Sequence, residues 1–70
     1  MGKKTWIRVE ERLPEVHKYV LILIKYKDEY QIHKYIRFSN DTLETWKFTN
    51  DSKIIAWMDI PSYEHIIRGE

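Results

Sequence analysis

The three histidines are the side chains of this chain best suited to hold a metal ion or to transfer a proton near neutral pH. His17, His33 and His65 lie 16 and 32 residues apart. This spacing lacks the H-x-H and H-x-x-x-H patterns that bring two imidazoles to one ion. The chain also has no cysteine to complete such a site. We therefore predict no metal site and no bound cofactor.

Nucleophilic catalysis and phosphate binding have equally little basis in the sequence. Ser39, Ser52 and Ser62 stand in turn or terminal contexts, and none belongs to a G-x-S-x-G motif. The two glycines, Gly2 and Gly69, are too few and too far apart to build a glycine-rich phosphate-binding loop. The sequence predicts no catalytic residues, and we expect that the protein is not an enzyme.

A set of basic, polar and aromatic side chains is the candidate partner-binding site. Basic groups around aromatic rings are typical of single-stranded nucleic-acid platforms, and the same mixture is typical of protein interfaces. A third interpretation is a solvated rim, with the C-terminal segment covering the leucines of the neighbouring strand. The set comprises Lys25, Gln31, His33, Tyr35 and Arg37, with Tyr19, Leu21 and Leu23 between them on that strand.

Five segments have the composition of β-strands and would position these side chains. Residues 19–24 form a continuous apolar run, which indicates a central strand. Residues 30–38 alternate between apolar and polar side chains, as a half-buried strand does. Further strands are predicted at residues 5–9, 46–48 and 54–60.

The loop that joins the two hairpin strands decides which side chains share a face, because a one-residue slip inverts them all. A two-residue loop sets Ile22 and Ile24 beside His33 and Gln31. We predict a three-residue loop, Lys27-Asp28-Glu29, because it brings apolar side chains together, although Lys34 must then reach out from the rim. This loop places Val20, Ile22, Ile24 and Tyr26 beside Tyr30, Ile32, Ile36 and Phe38.

The predicted fold class is α+β. We expect a small, twisted, mainly antiparallel sheet of four or five strands, with the hairpin of residues 19–38 at its centre. After Pro61, the helical spacing of Tyr63, Ile66 and Ile67 predicts a short C-terminal helix. A chain of 70 residues is near the lower limit for one hydrophobic core, so residues 1–70 are predicted as a single domain.

Composition and charge limit the cellular compartment and the classes of partner that the sequence predicts. The absence of cysteine predicts a reducing, cytoplasmic environment, and the longest apolar run, residues 19–24, is too short to span a membrane. The net charge is +1, but residues 1–37 carry nine basic and five acidic residues, whereas residues 38–70 carry three and six. This asymmetry fits either a basic face for nucleic acid or two halves of one sheet that attract each other.

Two motifs carry a resemblance to a known family. The chain contains Trp6-Ile7-x-Val9 followed by Arg12-Leu13-Pro14, and it ends its last strand with Ile55-Ala56-Trp57-Met58-x-x-Pro61. In these motifs it resembles a small bacterial and phage family, domain of unknown function 551. The resemblance implies a compact, strand-rich fold and an origin in a phage, prophage or similar mobile element, and it implies no activity.

The first motif has a structural and a functional interpretation. We predict that Trp6, Ile7 and Val9 form an edge strand that holds the tryptophan in the core, while Arg12 and Pro14 fix the turn into the central strand. The alternative is an exposed pair, Trp6 and Arg12, because tryptophan and arginine are enriched in binding hot spots.

Taken together, these features predict a non-enzymatic protein-binding module of phage or mobile-element type. The narrower form of this prediction is an inhibitor of a host bacterial defence enzyme. The alternative is a nucleic-acid-binding accessory protein that uses the basic and aromatic face. We also predict a homodimer, formed through the edge strand at residues 6–9 or through the face that carries Leu21 and Leu23, because so small a core gains by burying more surface.

Overall fold

Four strands form one antiparallel sheet in the computed structural model, which describes residues 5–61. The strands are β1 (Ile7–Arg8), β2 (Tyr19–Tyr26), β3 (Glu29–Ile36) and β4 (Ser52–Asp59). Their order in the sheet is β1-β4-β2-β3. The apolar run is therefore an interior strand, as predicted, and it pairs with β3 on one side and with β4 on the other.

One face of the sheet carries the hydrophobic core. Val20, Ile22 and Ile24 alternate along β2, and all three are buried. Trp57 of β4 lies opposite Ile22. The register of β4 shifts between the partners of Leu23 and Ile24, so Ile54 and Trp57 face the same side although they lie three residues apart. The core is completed by Val9 and Trp46, which come from outside these strands.

The N-terminal motif closes one side of this core through Trp57. The indole Nε1 of Trp57 donates a hydrogen bond to the Arg12 carbonyl oxygen at 2.9 Å, and the Arg12 guanidinium lies 5.6 Å from the ring centroid. Pro14 is fully buried beside them. The structural interpretation of Arg12 and Pro14 thus agrees with the geometry. Trp6, by contrast, is only half-buried and lies outside the core cluster, so the prediction that the edge strand holds this tryptophan in the core is wrong.

The hairpin between β2 and β3 has a two-residue loop, so the predicted three-residue loop is wrong. Tyr26 pairs with Glu29, and Lys27 adopts a left-handed backbone with φ of 57°. Ile22 consequently lies opposite His33, and Ile24 lies opposite Gln31. This register is stable because the connection at residues 37–51 supplies aromatic side chains that pack on the polar side of β3. The alternation of apolar and polar residues within the hairpin does not reveal this packing, because the aromatic side chains come from outside the hairpin.

Three further predictions about the fold need correction. The α+β class is wrong for residues 5–61, which contain strands and turns and no helix. The helix predicted from Tyr63, Ile66 and Ile67 lies outside the described residues. Residues 46–48 are irregular and not a strand, and the hairpin is not central because β3 is an edge strand.

Within residues 5–61, no helix is long and apolar enough to cross a membrane.

The backbone at Lys27 gives a stability prediction. A residue with a Cβ atom in the left-handed region costs roughly 1 kcal/mol relative to glycine. Lys27→Gly should therefore raise the free energy of unfolding by about 1 kcal/mol, or about 4–8 °C in Tm for a domain of this size. Lys27→Ala is the control, because it removes the side chain over Tyr26 and keeps the backbone penalty. A Lys27→Gly melt no higher than that of Lys27→Ala would contradict the two-residue loop.

Candidate functional site

The structure does not bring all five predicted partner-binding residues to one face. Lys25 shares a face with Tyr19, Leu21 and Leu23, on the side of β2 away from the core. The other four predicted residues point to the opposite side, which carries the core. Those four are Gln31, His33, Tyr35 and Arg37.

Gln31 and His33 are held together on the core side of β3. The Gln31 Oε1 atom lies 2.8 Å from the His33 Nε2 atom. The His33 ring stacks on Phe48, with ring centroids 4.3 Å apart and planes at 21°. Both side chains are half-buried. His33 therefore covers the edge of the core, and the contact with Phe48 fixes its orientation.

Tyr35 and Arg37 tie the connecting segments to the sheet. The Tyr35 hydroxyl donates to the Lys47 carbonyl oxygen at 2.9 Å, and its ring meets Phe48 edge-on at 5.1 Å. Arg37 Nε donates to the Pro14 carbonyl oxygen at 2.8 Å, while its Nη1 donates to the Asp41 carbonyl oxygen at 2.9 Å. These contacts hold the segments around Pro14, Asp41 and Lys47 against the end of β3, and both side chains are half-buried.

The other side of the sheet, called the open face below, carries most of the exposed large apolar side chains. Tyr30, Ile32 and Tyr19 are 60%, 57% and 55% exposed. Leu21 and Leu23 are half-buried between them, and Ala56 of β4, which points to the same side, is buried. The open face comprises Arg8 of β1, Tyr19, Leu21, Leu23 and Lys25 of β2, Tyr30, Ile32, Lys34 and Ile36 of β3, and Lys53, Ala56 and Met58 of β4.

The charged side chains of the open face are all basic. Four of its strand positions carry lysine or arginine, and none carries aspartate or glutamate. Arg8 is paired with Glu10 at 3.1 Å, whereas Lys25, Lys34 and Lys53 have no ion-pair partner within residues 5–61. The open face is thus an aliphatic strip bordered by positive charge.

Two lysines of the open face lie over tyrosine rings. The Lys34 Nζ atom is 5.2 Å from the ring centroid of Tyr19, and the Lys25 Nζ atom is 5.8 Å from that of Tyr30. Such cation–π contacts are worth about 0.5–1 kcal/mol at exposed sites. They occupy a surface of each ring that a nucleic-acid base would need for stacking.

The described residues offer no metal centre. No group of three or more histidine, aspartate or glutamate side chains between residues 5 and 61 is placed to hold an ion. A recess of about 470 Å³ lies on the core side of the sheet between Val9, Leu43 and Trp46. Glutamate and lysine side chains stand at its border, and Ser52, the buried hydroxyl in its lining, bonds to Thr49.

Sequence reasoning missed Tyr30, Ile32, Lys34 and Lys53 as surface residues. The first two were assigned to the core by the longer hairpin loop, and Lys34 was placed at the rim of that core. The available signal was Lys34 itself, because a lysine in the middle of a strand argues against a buried face. Lys34 is compatible with the two-residue loop, which exposes it, whereas Ile32 and Ile36 favoured the three-residue loop.

Comparison with known proteins places the chain in a family. We found no similar protein among curated sequences and no similar fold among solved structures. A family described as "protein of unknown function (DUF551)" matches residues 5–64, nearly the whole length of the chain. The matched region includes both motifs, the buried Trp57 and every strand of the sheet. The chain therefore belongs to this family of proteins of unknown function.

Proposed function

We propose that this protein is a non-enzymatic protein-binding module and that the open face of its sheet is the contact surface. The observation that carries the proposal is the contiguous apolar strip with Tyr30 and Ile32 more than half exposed. Soluble proteins rarely expose large contiguous apolar surface unless it contacts a partner. The core of a protein interface is more apolar than the rest of the surface and is enriched in tyrosine and methionine, which the open face carries at Tyr19, Tyr30 and Met58.

Nucleic acid is the second candidate, since lysines and tyrosines share the open face. Two features favour a protein over it. The centre of the face is aliphatic, and Tyr19 and Tyr30 lie at opposite ends of the hairpin, so successive bases find no continuous stacking platform. Each ring also has a lysine over it. The narrower idea that the partner is a bacterial defence enzyme, from a phage or mobile-element gene, stays a prediction.

Capture with matched baits tests the proposal. Leu23→Glu/Ile32→Glu places two carboxylates in the aliphatic strip, while Leu43→Glu alters an exposed leucine outside the open face. We expect a bacterial protein that wild type and Leu43→Glu retain, and that the double variant retains at least about tenfold less. Equal retention by all three baits would show that the partner contacts a surface other than the open face. If wild type and Leu43→Glu retain a single-stranded oligonucleotide instead of a protein, and the double variant does not, the second candidate is supported.

A further inference from the structure

Two lysines stand directly opposite each other on the open face, near the hairpin loop. Lys25 of β2 and Lys53 of β4 are Cα partners in the antiparallel register. Both are exposed, and within residues 5–61 neither has an ion-pair partner. Like charges in directly opposite positions destabilise a sheet. A negatively charged group placed between these two lysines would remove that repulsion.

The surface around this pair forms a recess with both basic and apolar walls. It has a volume of about 320 Å³, and its lining includes Arg8, Lys25, Tyr30, Lys53 and Ile55. Glu10 also borders it, but its carboxylate is engaged with Arg8 at 3.1 Å. The recess therefore fits a ligand group that is anionic at its tip and apolar along its stem.

The aliphatic strip begins beside the recess, on the same face of the sheet. Leu23 lies two residues before Lys25 on the same side of β2, and Ile32 lies opposite Leu23 on β3. A ligand that seats an anionic group between the lysines would thus lay its neighbouring atoms on leucine and isoleucine. A phosphate backbone has the charge for the first contact but no apolar group for the second.

We propose that this recess binds a carboxylate side chain of the protein partner, and that the partner flanks this acidic residue with apolar residues that contact Leu23 and Ile32. The inference rests on the protein-binding function proposed above and adds the chemistry of the partner. A second copy of this chain is a poor occupant of the recess, because a face-to-face contact would bring two basic surfaces together.

The variant Lys53→Glu tests whether Lys53 belongs to a carboxylate-binding site or is an ordinary surface lysine. It turns a like-charge pair into an opposite-charge pair, so Tm should rise by a few degrees. The probe is a synthetic amphipathic peptide with leucines on one face and glutamates beside them, compared with a version that has glutamine in place of glutamate. Wild type should bind the glutamate peptide about tenfold more tightly, and Lys53→Glu should lose that preference.

Lys47→Glu is the matched control, since Lys47 is an exposed lysine outside the open face. It should leave the peptide preference as in wild type. If wild type binds the glutamate and glutamine peptides equally, the acidic partner is overturned and the protein-binding function stands. If neither peptide binds and a thymidine oligonucleotide does, both are overturned. A Lys53→Glu variant with unchanged Tm and unchanged preference also overturns the site.

Discussion

Replacing Trp57 by alanine should leave the domain unfolded at ordinary temperature. Trp57 is 5% exposed, contacts the core cluster and donates its indole hydrogen to the Arg12 carbonyl oxygen. Truncating a buried tryptophan costs roughly 3–5 kcal/mol, and the lost hydrogen bond leaves the carbonyl without its partner. A single hydrophobic core in a chain of 70 residues rarely supplies more than about 3–5 kcal/mol of stability, so little or none would remain.

Trp6→Ala is the matched control for this prediction. Trp6 belongs to the same N-terminal motif that contacts Trp57, but it is half-buried and lies outside the core cluster. We expect its replacement to cost no more than about 1–2 kcal/mol, since less apolar surface is lost. Circular dichroism melts of the two variants give the comparison. A Trp57→Ala melting temperature close to that of wild type would show that Trp57 does not belong to the hydrophobic core.

The second large effect distinguishes the two faces of the hairpin, because isoleucine is replaced by glutamate once on each face. Ile22 is fully buried, so Ile22→Glu places a carboxylate without a partner in the core and should abolish folding at neutral pH. Ile32 is 57% exposed on a face with four basic side chains, so Ile32→Glu should change the free energy of unfolding by no more than about 0.5 kcal/mol.

Urea titration of both isoleucine variants measures the difference. Titration of Leu23→Glu/Ile32→Glu alongside them checks that the double variant used for capture keeps its fold. If Ile32→Glu destabilised the domain by several kcal/mol, as the three-residue loop requires, the register of the hairpin would be wrong.

How far the sequence predicts this fold depends on the range of the interactions involved. The apolar run at residues 19–24 predicts an interior strand because strand length and composition are local properties. Residues 54–60 are predicted within one or two residues of β4 for the same reason. The family assignment follows from the two motifs and is confirmed.

The face of each side chain depends on contacts that are distant in sequence, and here the prediction was wrong. Apolar alternation favoured Ile32 and Ile36 as core residues. The structure instead packs Trp46 and Phe48 of a connecting segment against Tyr35 and His33. The indole Nε1 of Trp46 also donates to the Ile36 carbonyl oxygen at 3.0 Å. Such side-chain contacts leave no periodic signal within the hairpin, so the prediction that all five candidate site residues share one face was wrong, and four of them lie on the side of the sheet away from Lys25.

The proposed binding function requires that the open face is exposed to solvent in the protein. Methyl NMR of the full-length protein with a soluble gadolinium chelate measures this directly, because the chelate broadens only those signals that it can approach. We expect strong broadening for Leu21, Leu23 and Ile32 and little for Ile22 and Ile24. Protection of Leu21 and Leu23 equal to that of Ile22 would show that the face is covered and would contradict its role as a partner-binding surface.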